Sequence, residues 1–221
     1  MFSPQQIQRV DETDDNHFYQ QPRLVQHIDD GFIASLKQVF RKHLPPHAVI
    51  LDLMSSWVSH LPDELVTQKV IGHGMNPVEL AANPRLNEYF IQNLNRDPGL
   101  PFADNTFDAV LNTVSIQYLI DATTVLREVN RVLKPGGIVI ISFSNRMFPT
   151  KAIRQWADSP EPERVALVRR YLEVSGFIDI EDQHRSSSGR SYDFGFAQWL
   201  MRPKDPFYCL SARTSLAHEQ P

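Results

Sequence analysis

The chain has 221 residues, of which 42% are hydrophobic and 22% charged, with a formal net charge of −4. This length and composition fit one globular α/β domain with additions rather than two full domains. The charge argues against a nucleic-acid partner, and no apolar run is long enough to cross a bilayer. The lone cysteine, Cys209, cannot form a disulfide within the chain, and the N-terminal stretch lacks a signal peptide's apolar core. We therefore expect a cytoplasmic protein without a membrane partner.

Predicted strands and helices alternate along the first half of the chain. Residues 1–17 are polar and acidic, which predicts a loose segment. Apolar residues at Ile33, Leu36 and Phe40 predict a helix over 31–43. The elements that follow are a buried strand at 48–53, a short helix at 62–66, a strand at 69–74, a helix at 76–82 capped by Asn76, and strands at 88–94 and 106–115.

The second half opens with an amphipathic helix predicted at 121–133, which Asp121 can cap. The sequence Lys134-Pro135-Gly136-Gly137 predicts its end, with a glycine as left-handed cap. The remaining elements are a strand at 137–143, helices near 150–157 and at 161–175, and strands at 176–182 and 206–212. These seven strands predict a mostly parallel sheet with helices on both faces and an antiparallel last strand.

Two parts are predicted from this organisation. Residues 1–44 form an N-terminal segment with a lid helix, and residues 45–221 form an α/β domain with a loop-rich insertion at 184–204. Ligands of open α/β sheets bind beyond the carboxyl ends of the strands. The segments expected to line such a site are 52–60, 74–76, 93–95 and 112–118.

The segment LPFADNTFDAVLNTVSIQYLIDATTVLREVNRVLKPGGIVIISF (100–143) closely resembles the fourth strand, following helix and fifth strand of class I S-adenosylmethionine-dependent methyltransferases. The pattern SIQYL (115–119) is similar to the segment near the methyl-transfer centre of acyl-carrier-protein methyltransferases. The resemblance extends over roughly residues 45 to 145, in the small-molecule, type 11-like branch. It implies a Rossmann-like fold, S-adenosylmethionine as cofactor, and methyl transfer to a small molecule.

The resemblance also implies a set of cofactor contacts, with three departures. The family's alternating glycines after the first strand are replaced by Met54, Ser56 and Val58. Gly74 stands where the family has an acid for the ribose, and Asn93 where it has an aspartate for the adenine. The residues implied to hold the cofactor are Asp52, Met54, Ser55, Ser56, Gly74, Met75, Asn76, Asn93, Leu94 and Thr113.

These departures leave two interpretations open. Side chains at the glycine positions would crowd the amino-acid end of the cofactor, which favours a non-catalytic protein that binds a metabolite or partner. Alternatively, Ser55, Ser56 and Ser59 would donate hydrogen bonds to the cofactor carboxylate, which favours a remodelled enzyme. Asp52 is either a cofactor contact or a helix cap, and Asn76 either a ribose ligand or a helix cap.

A lid is predicted at FYQQPRLVQHID (18–29), since related enzymes cover the cofactor with the corresponding segment. Tyr19, Arg23 and His27 would share one face of a helix, although Pro22 argues against a regular one. Arg23 is a candidate to bind the cofactor carboxylate in a bidentate fork. The alternative is an ordinary amphipathic surface helix.

Candidate catalytic residues near the expected methyl group are His60, Tyr118 and Gln117, beside Thr113. His60 is the preferred base because the reference pKa of histidine is near neutrality. Asn145 and Arg146 follow the fifth strand and either bind substrate or cap the next helix. His27, His60 and His73 show no metal-ligand spacing. Aromatic residues of the insertion predict an apolar or aromatic acceptor: Tyr192, Phe194, Phe196 and Trp199.

Overall fold

A computed structural model describes residues 3–185 and 205–216 of the chain. Within these residues one seven-stranded sheet has the order β3-β2-β1-β4-β5-β7-β6. The strands are β1 Val49–Asp52, β2 Lys69–Gly74, β3 Glu88–Ile91, β4 Phe107–Thr113, β5 Leu133–Phe143, β6 Ile178–Arg185 and β7 Phe207–Arg213. Strands β1 to β5 pair in parallel, and β7 is antiparallel to both of its neighbours. The predicted fold class is therefore confirmed.

Helices cover both faces of this sheet. Their bounds are α1 Pro4–Ile7, α2 Asp15–Phe18, α3 Asp30–His43, α4 Pro77–Ala81, α5 Ala122–Val132, α6 Arg154–Asp158 and α7 Glu161–Val174, with a 3₁₀ turn at Ile116–Tyr118. No helix of the described residues is both long and apolar enough to cross a membrane.

Two apolar cores lie on opposite faces because side chains alternate along each strand. Ile50 of β1 packs in the core formed with α3, where Phe32 and Phe40 are fully buried. The next residue, Leu51, packs in the other core, against α5 and α7. The predicted apolar face of α3 is confirmed at Leu36 and Phe40, while Ile33 is only half-buried.

The predicted helix at 62–66 is wrong. The segment forms a turn in which the backbone N–H of Leu65 donates to Pro62 O at 3.1 Å. Asp63 and Glu64 instead pair with side chains of α3. The hydrogen bonds of a single helical turn rarely offset the cost of nucleating a helix. The ion pairs with α3 therefore determine the conformation of residues 62–66.

The glycine cap predicted for α5 is also wrong. The N-cap Asp121 is confirmed, since its Oδ1 accepts from the Thr124 N–H at 3.0 Å. The helix ends at Val132, however, and β5 begins at the next residue. Gly136 adopts its positive φ of 74° inside that strand, and a Cβ at Gly137 would lie 2.7 Å from Lys134 O. These glycines therefore permit a tight strand path rather than a helix end.

The N-terminal segment is more ordered than predicted up to residue 17, and less helical beyond it. Helices α1 and α2 lie in the part expected to be loose. Helix α2 ends at Phe18, and residues 19–29 are irregular, so the predicted lid helix is wrong. Pro22 supplies no backbone N–H for a helical ladder there. Most of the 184–204 insertion, including Tyr192, Phe194, Phe196 and Trp199, lies outside the described residues.

Candidate functional site

A cavity of about 510 Å³ opens beyond the carboxyl ends of β1, β2 and β4. Strand order reverses between β1 and β4, which is where open α/β sheets bind ligands. The predicted site residues in its wall are Tyr19, Arg23, His27, Asp52, Met54, Ser55, Ser56, Val58, His60, Gly74, Met75, Asn76, Asn93, Leu94, Thr113, Tyr118, Asn145 and Arg146. Gln117 is a correction, because it is buried outside this wall and its Nε2 donates to Val114 O at 2.9 Å.

The loop after β1 follows a path normally taken by glycine. Met54 has a φ of 57°, in the left-handed region that L-residues rarely adopt. Two further residues of the cavity wall share this conformation, His60 at 52° and Val114 at 48°. Strained backbone of this kind tends to cluster at functional sites. The Met54 side chain packs against the core shared with α5, although its backbone lies in the region that favours glycine.

His73 holds that loop in place. Its Nδ1 accepts from the Met54 N–H at 3.0 Å, and its Nε2 lies 3.0 Å from Gln92 O. These partners require the neutral tautomer with its proton on Nε2. Burial lowers the pKa of His73 to about 4, which keeps the ring neutral at pH 7. His73 therefore joins the loops after β1 and β3, a role that sequence spacing alone did not indicate.

Gly74 is required by the same loop. A Cβ at this position would lie 2.8 Å from Ser55 O, closer than real Cβ contacts. The Ser55 N–H also donates to His73 O at 2.6 Å, which presses the loop onto the end of β2. An acid at position 74 is therefore incompatible with this loop path.

Asp52 is a buried carboxylate at the end of β1. It is 3% exposed and accepts from Ser55 Oγ at 2.6 Å. Burial raises its pKa to about 6. No helix begins in residues 53–60 of the described chain, so Asp52 is not a helix cap. Burying a charged carboxylate costs free energy, and Asp52 does not offset that cost by capping a helix. This favours a contact between Asp52 and a ligand.

Asn76 and Glu79 bind the N-terminal segment to the cavity. Asn76 Oδ1 caps α4 by accepting from Val78 N, and its Nδ2 donates to Tyr19 O at 2.9 Å. The side chain is thus occupied as a cap. Glu79 accepts from Ser56 Oγ at 2.6 Å and from the backbone N–H of Arg23 at 2.7 Å. The spacing Asn76-x-x-Glu79 is typical of a helix start, but it carries no signal for these contacts of Glu79.

The loop after β3 is shaped by asparagines. Asn93 Oδ1 accepts from the Asn95 N–H at 3.0 Å, as in an Asx turn. Asn95 Nδ2 in turn donates to Tyr118 O at 2.9 Å, and its Oδ1 accepts from the Ile120 N–H at 2.8 Å. Asn95 fixes the distance between this loop and the segment after β4.

The candidate acid and base groups are largely neutral. Burial, with Lys37 nearby, lowers the pKa of His60 to about 4, so the expectation of a near-neutral pKa is wrong. Tyr118 Oη accepts from the Phe148 N–H at 2.8 Å, and burial raises the pKa of Tyr118 above its ordinary value of 10.0. At neutral pH His60 is a weak base and Tyr118 a hydrogen-bond donor.

The N-terminal segment covers the cavity through buried ionic contacts. Asp15, 4% exposed, binds Arg9 Nη1 at 2.8 Å and Lys151 Nζ at 3.2 Å. Lys151 is fully buried and also donates to Thr13 O. Trp57 Nε1 donates to Val25 O at 3.1 Å from the loop after β1. The segment is therefore fastened at both ends of the cavity.

The loop after β5 supplies the remaining wall. Arg146 Nε donates to Asp205 Oδ1 at 2.6 Å. Asp205 also exchanges two hydrogen bonds with Asp29, the N-cap of α3. Helix α6 begins at Arg154, so Asn145 and Arg146 do not cap it. Both line the cavity on the side opposite the loop after β2.

Comparisons with known proteins show which family this chain resembles. A methyltransferase-domain family model matches residues 57–141. An uncharacterised protein of Escherichia coli K12, YafE, is 30% identical over 147 residues, which are 64% of this chain and 70% of that protein. A demethylmenaquinone methyltransferase of Corynebacterium urealyticum is 51% identical over 51 residues, 23% of this chain and only 22% of that enzyme.

A solved structure shows the same fold. An S-adenosylmethionine-dependent methyltransferase from Mesorhizobium loti superposes with a TM-score of 0.54 and 20% identity, over 80% of this chain and 96% of that one. The sheet order, the cavity at its reversal and the sequence matches agree. The chain belongs to the class I family of S-adenosylmethionine-dependent methyltransferases.

Proposed function

We propose that the protein transfers a methyl group from S-adenosylmethionine to a small-molecule acceptor. The observation that carries this proposal is the cavity at the reversal of strand order, lined by the loop after β1 and covered by the N-terminal segment. Its volume of about 510 Å³ lies within the range of small-molecule sites. The net charge of −4 speaks against a nucleic-acid acceptor.

The cavity wall offers groups for two parts of the cofactor, its amino-acid end and its adenine. Met54 keeps the left-handed backbone that a glycine would provide, and its side chain packs against the core. Asp52 supplies a polar group for the cofactor's amino-acid end, whereas Ser55 and Ser56 already donate to Asp52 and Glu79. Asn93 and Leu94 supply polar groups for the cofactor's adenine. Gly74 offers no side chain to the ribose, and Asn76 is occupied as a cap.

When bound, the cofactor supplies an electrophilic methyl group on a sulfonium, and the protein's task is alignment. The N-terminal segment excludes water, since Arg9, Asp15 and Lys151 hold it closed. Tyr118, which keeps its proton at neutral pH, orients an acceptor oxygen by donating to it. Neutral His60 is a weak base, so the acceptor's reacting group is one that ionises readily by itself.

A second candidate is a non-catalytic protein of the same fold that binds a metabolite or partner. The observation that favours it is the loop after β1, which lies against the end of β2 where an acid for the ribose would stand. Conserved architecture does not by itself imply chemistry. Cofactor affinity separates the two candidates.

The test is calorimetric titration of the protein with S-adenosylmethionine and S-adenosylhomocysteine. We expect micromolar dissociation constants, about −8 kcal/mol, that are lost in Asp52→Ala and Asn93→Ala. Asp158→Ala is the matched control, because this exposed residue of α6 pairs with Arg154 outside the cavity. No binding of either compound by folded protein would contradict the enzyme and favour the second candidate.

A further inference from the structure

Among the described residues, three arginines line the cavity, and they differ in their partners. Arg9 pairs with Asp15 at 2.8 Å, and Arg146 pairs with Asp205 at 2.6 Å. The guanidinium of Arg23 forms no ion pair with any carboxylate of the described residues. Arg23 is therefore the arginine of this wall whose charge is left for a ligand.

The Arg23 side chain is held in a fixed position. Its guanidinium carbon lies 4.5 Å from the ring centroid of Phe18 and 5.2 Å from that of Phe148. Nη2 donates to Phe18 O at 2.9 Å, while Nη1 lies 3.5 Å from Gln21 O. A guanidinium has five N–H donors in a planar fork, so donors remain for a planar anion. Stacking on rings reduces the entropy that such a contact would cost.

Further aromatic rings pack against Phe148, one of the rings beneath this cation. Tyr118 stacks on Phe148 at 5.8 Å between centroids, and His27 meets Phe148 edge-on at 5.4 Å. Tyr19 also lines the cavity here. A wall of rings beside one unpaired guanidinium matches a flat apolar molecule that carries one negative group.

We propose that Arg23 binds the carboxylate of an aromatic acceptor, so that the substrates are small aromatic acids with a nucleophilic substituent. This inference rests on the proposed methyl transfer. The cofactor also carries a carboxylate, but the side-chain contacts of Arg23 are with Phe18, Gln21 and Phe148. Only its backbone N–H reaches Glu79, which contacts the loop after β1. The geometry therefore favours the acceptor over the cofactor.

The experiment titrates protein saturated with S-adenosylhomocysteine with the three hydroxybenzoates and with the matched hydroxybenzamides. We expect at least one acid to bind at least tenfold more tightly than its amide. Arg23→Gln removes that preference, and Arg23→Lys retains part of it, because a point charge lacks the bidentate fork. Arg154→Gln, which removes an equal charge from exposed α6, leaves the preference unchanged.

Two outcomes overturn the proposal. One is the absence of any preference for acids, including a lack of binding by every compound, or a preference that survives in a folded Arg23→Gln variant. The other concerns the cofactor: if Arg23→Gln weakens binding of S-adenosylhomocysteine but not of 5′-methylthioadenosine, Arg23 holds the cofactor carboxylate instead. Failure of the wild type to bind S-adenosylhomocysteine would count against the proposed function, and the acid–amide comparison on unliganded protein would still test Arg23.

Discussion

The backbone conformation of Met54 and the missing side chain of Gly74 together determine how the loop after β1 packs against the end of β2. Met54 takes a left-handed conformation, and the absence of a Cβ at Gly74 lets Ser55 O approach. Sequence comparison finds the missing glycines after β1 and the missing acid after β2. It treats them as separate losses, because the contact between Ser55 and position 74 exists only in the folded chain.

Replacing Gly74 should therefore destabilise the protein. A Cβ 2.8 Å from a backbone oxygen forces the loop to move, so Gly74→Ala is expected to lower the free energy of unfolding by about 1–3 kcal/mol. Gly74→Asp should do the same without raising cofactor affinity. Urea unfolding measures the effect, with Gly99→Ala as control, since a Cβ there makes only an ordinary contact at 3.4 Å. A Gly74→Ala variant as stable as the wild type would refute this loop path.

Asp52 predicts a specific dependence of stability on pH. Its folded pKa of about 6 lies above the ordinary 3.8, so the native state binds more protons than the unfolded state between these values. Stability from this residue is present below pH 3.8 and is lost as pH rises through 6. Asp52→Asn, which keeps an acceptor for Ser55 Oγ, should be more stable than wild type by about 3 kcal/mol at pH 8.

The difference in unfolding free energy between these two proteins should be smallest well below pH 3.8, where Asp52 is protonated in both states. Buried His73 makes stability change with pH in the opposite direction, but it does so equally in both proteins. Its contribution therefore cancels in the difference between them. Chemical unfolding at several pH values measures it. A variant less stable than wild type at pH 8 would show that the Asp52 charge is compensated in the fold.

Most of the predicted helices and strands are present, including the short elements β1, β3 and α4. Helices α3 and α5 follow from their stripes and caps, and β2 was predicted with its observed bounds. The segment at 62–66 and the first 17 residues were misjudged. Their conformations depend on partners far along the chain, such as Lys151 for Asp15. Local propensity carries no information about such partners.

The N-terminal segment provides a test of that view. Lys151 is fully buried, and Lys151→Met leaves the carboxylates of Asp11 and Asp15 without this cation. We expect a loss of about 3 kcal/mol in the free energy of unfolding and faster proteolysis within residues 3–29. Lys134→Met is the matched control, because its pair with Asp108 is partly exposed and worth about 1 kcal/mol at most. If both variants lowered the free energy of unfolding equally, the buried ion pairs of Lys151 would not be what holds the N-terminal segment in place.

For the molecule as a whole, the sequence was sufficient to predict the fold and the position of the cavity. The alternation of strands and helices predicted the sheet, and the carboxyl ends of the strands predicted where the cavity lies. The cavity wall contains Asp52, Asn93 and Tyr118, as expected. The contacts made by His73 and Glu79 were not foreseen. Each joins segments that are distant in sequence, and neither residue type at its position indicates that role.

The central claim is that this cavity binds the S-adenosyl cofactor despite its altered loop. Hydrogen–deuterium exchange with and without S-adenosylhomocysteine tests it most directly, because exchange reports which backbone segments a ligand stabilises. We predict slower exchange in residues 53–60, 92–95 and 9–29, and unchanged exchange in β6, which lies at the far edge of the sheet. Unchanged exchange throughout, or protection confined to segments outside the cavity wall, would contradict the account.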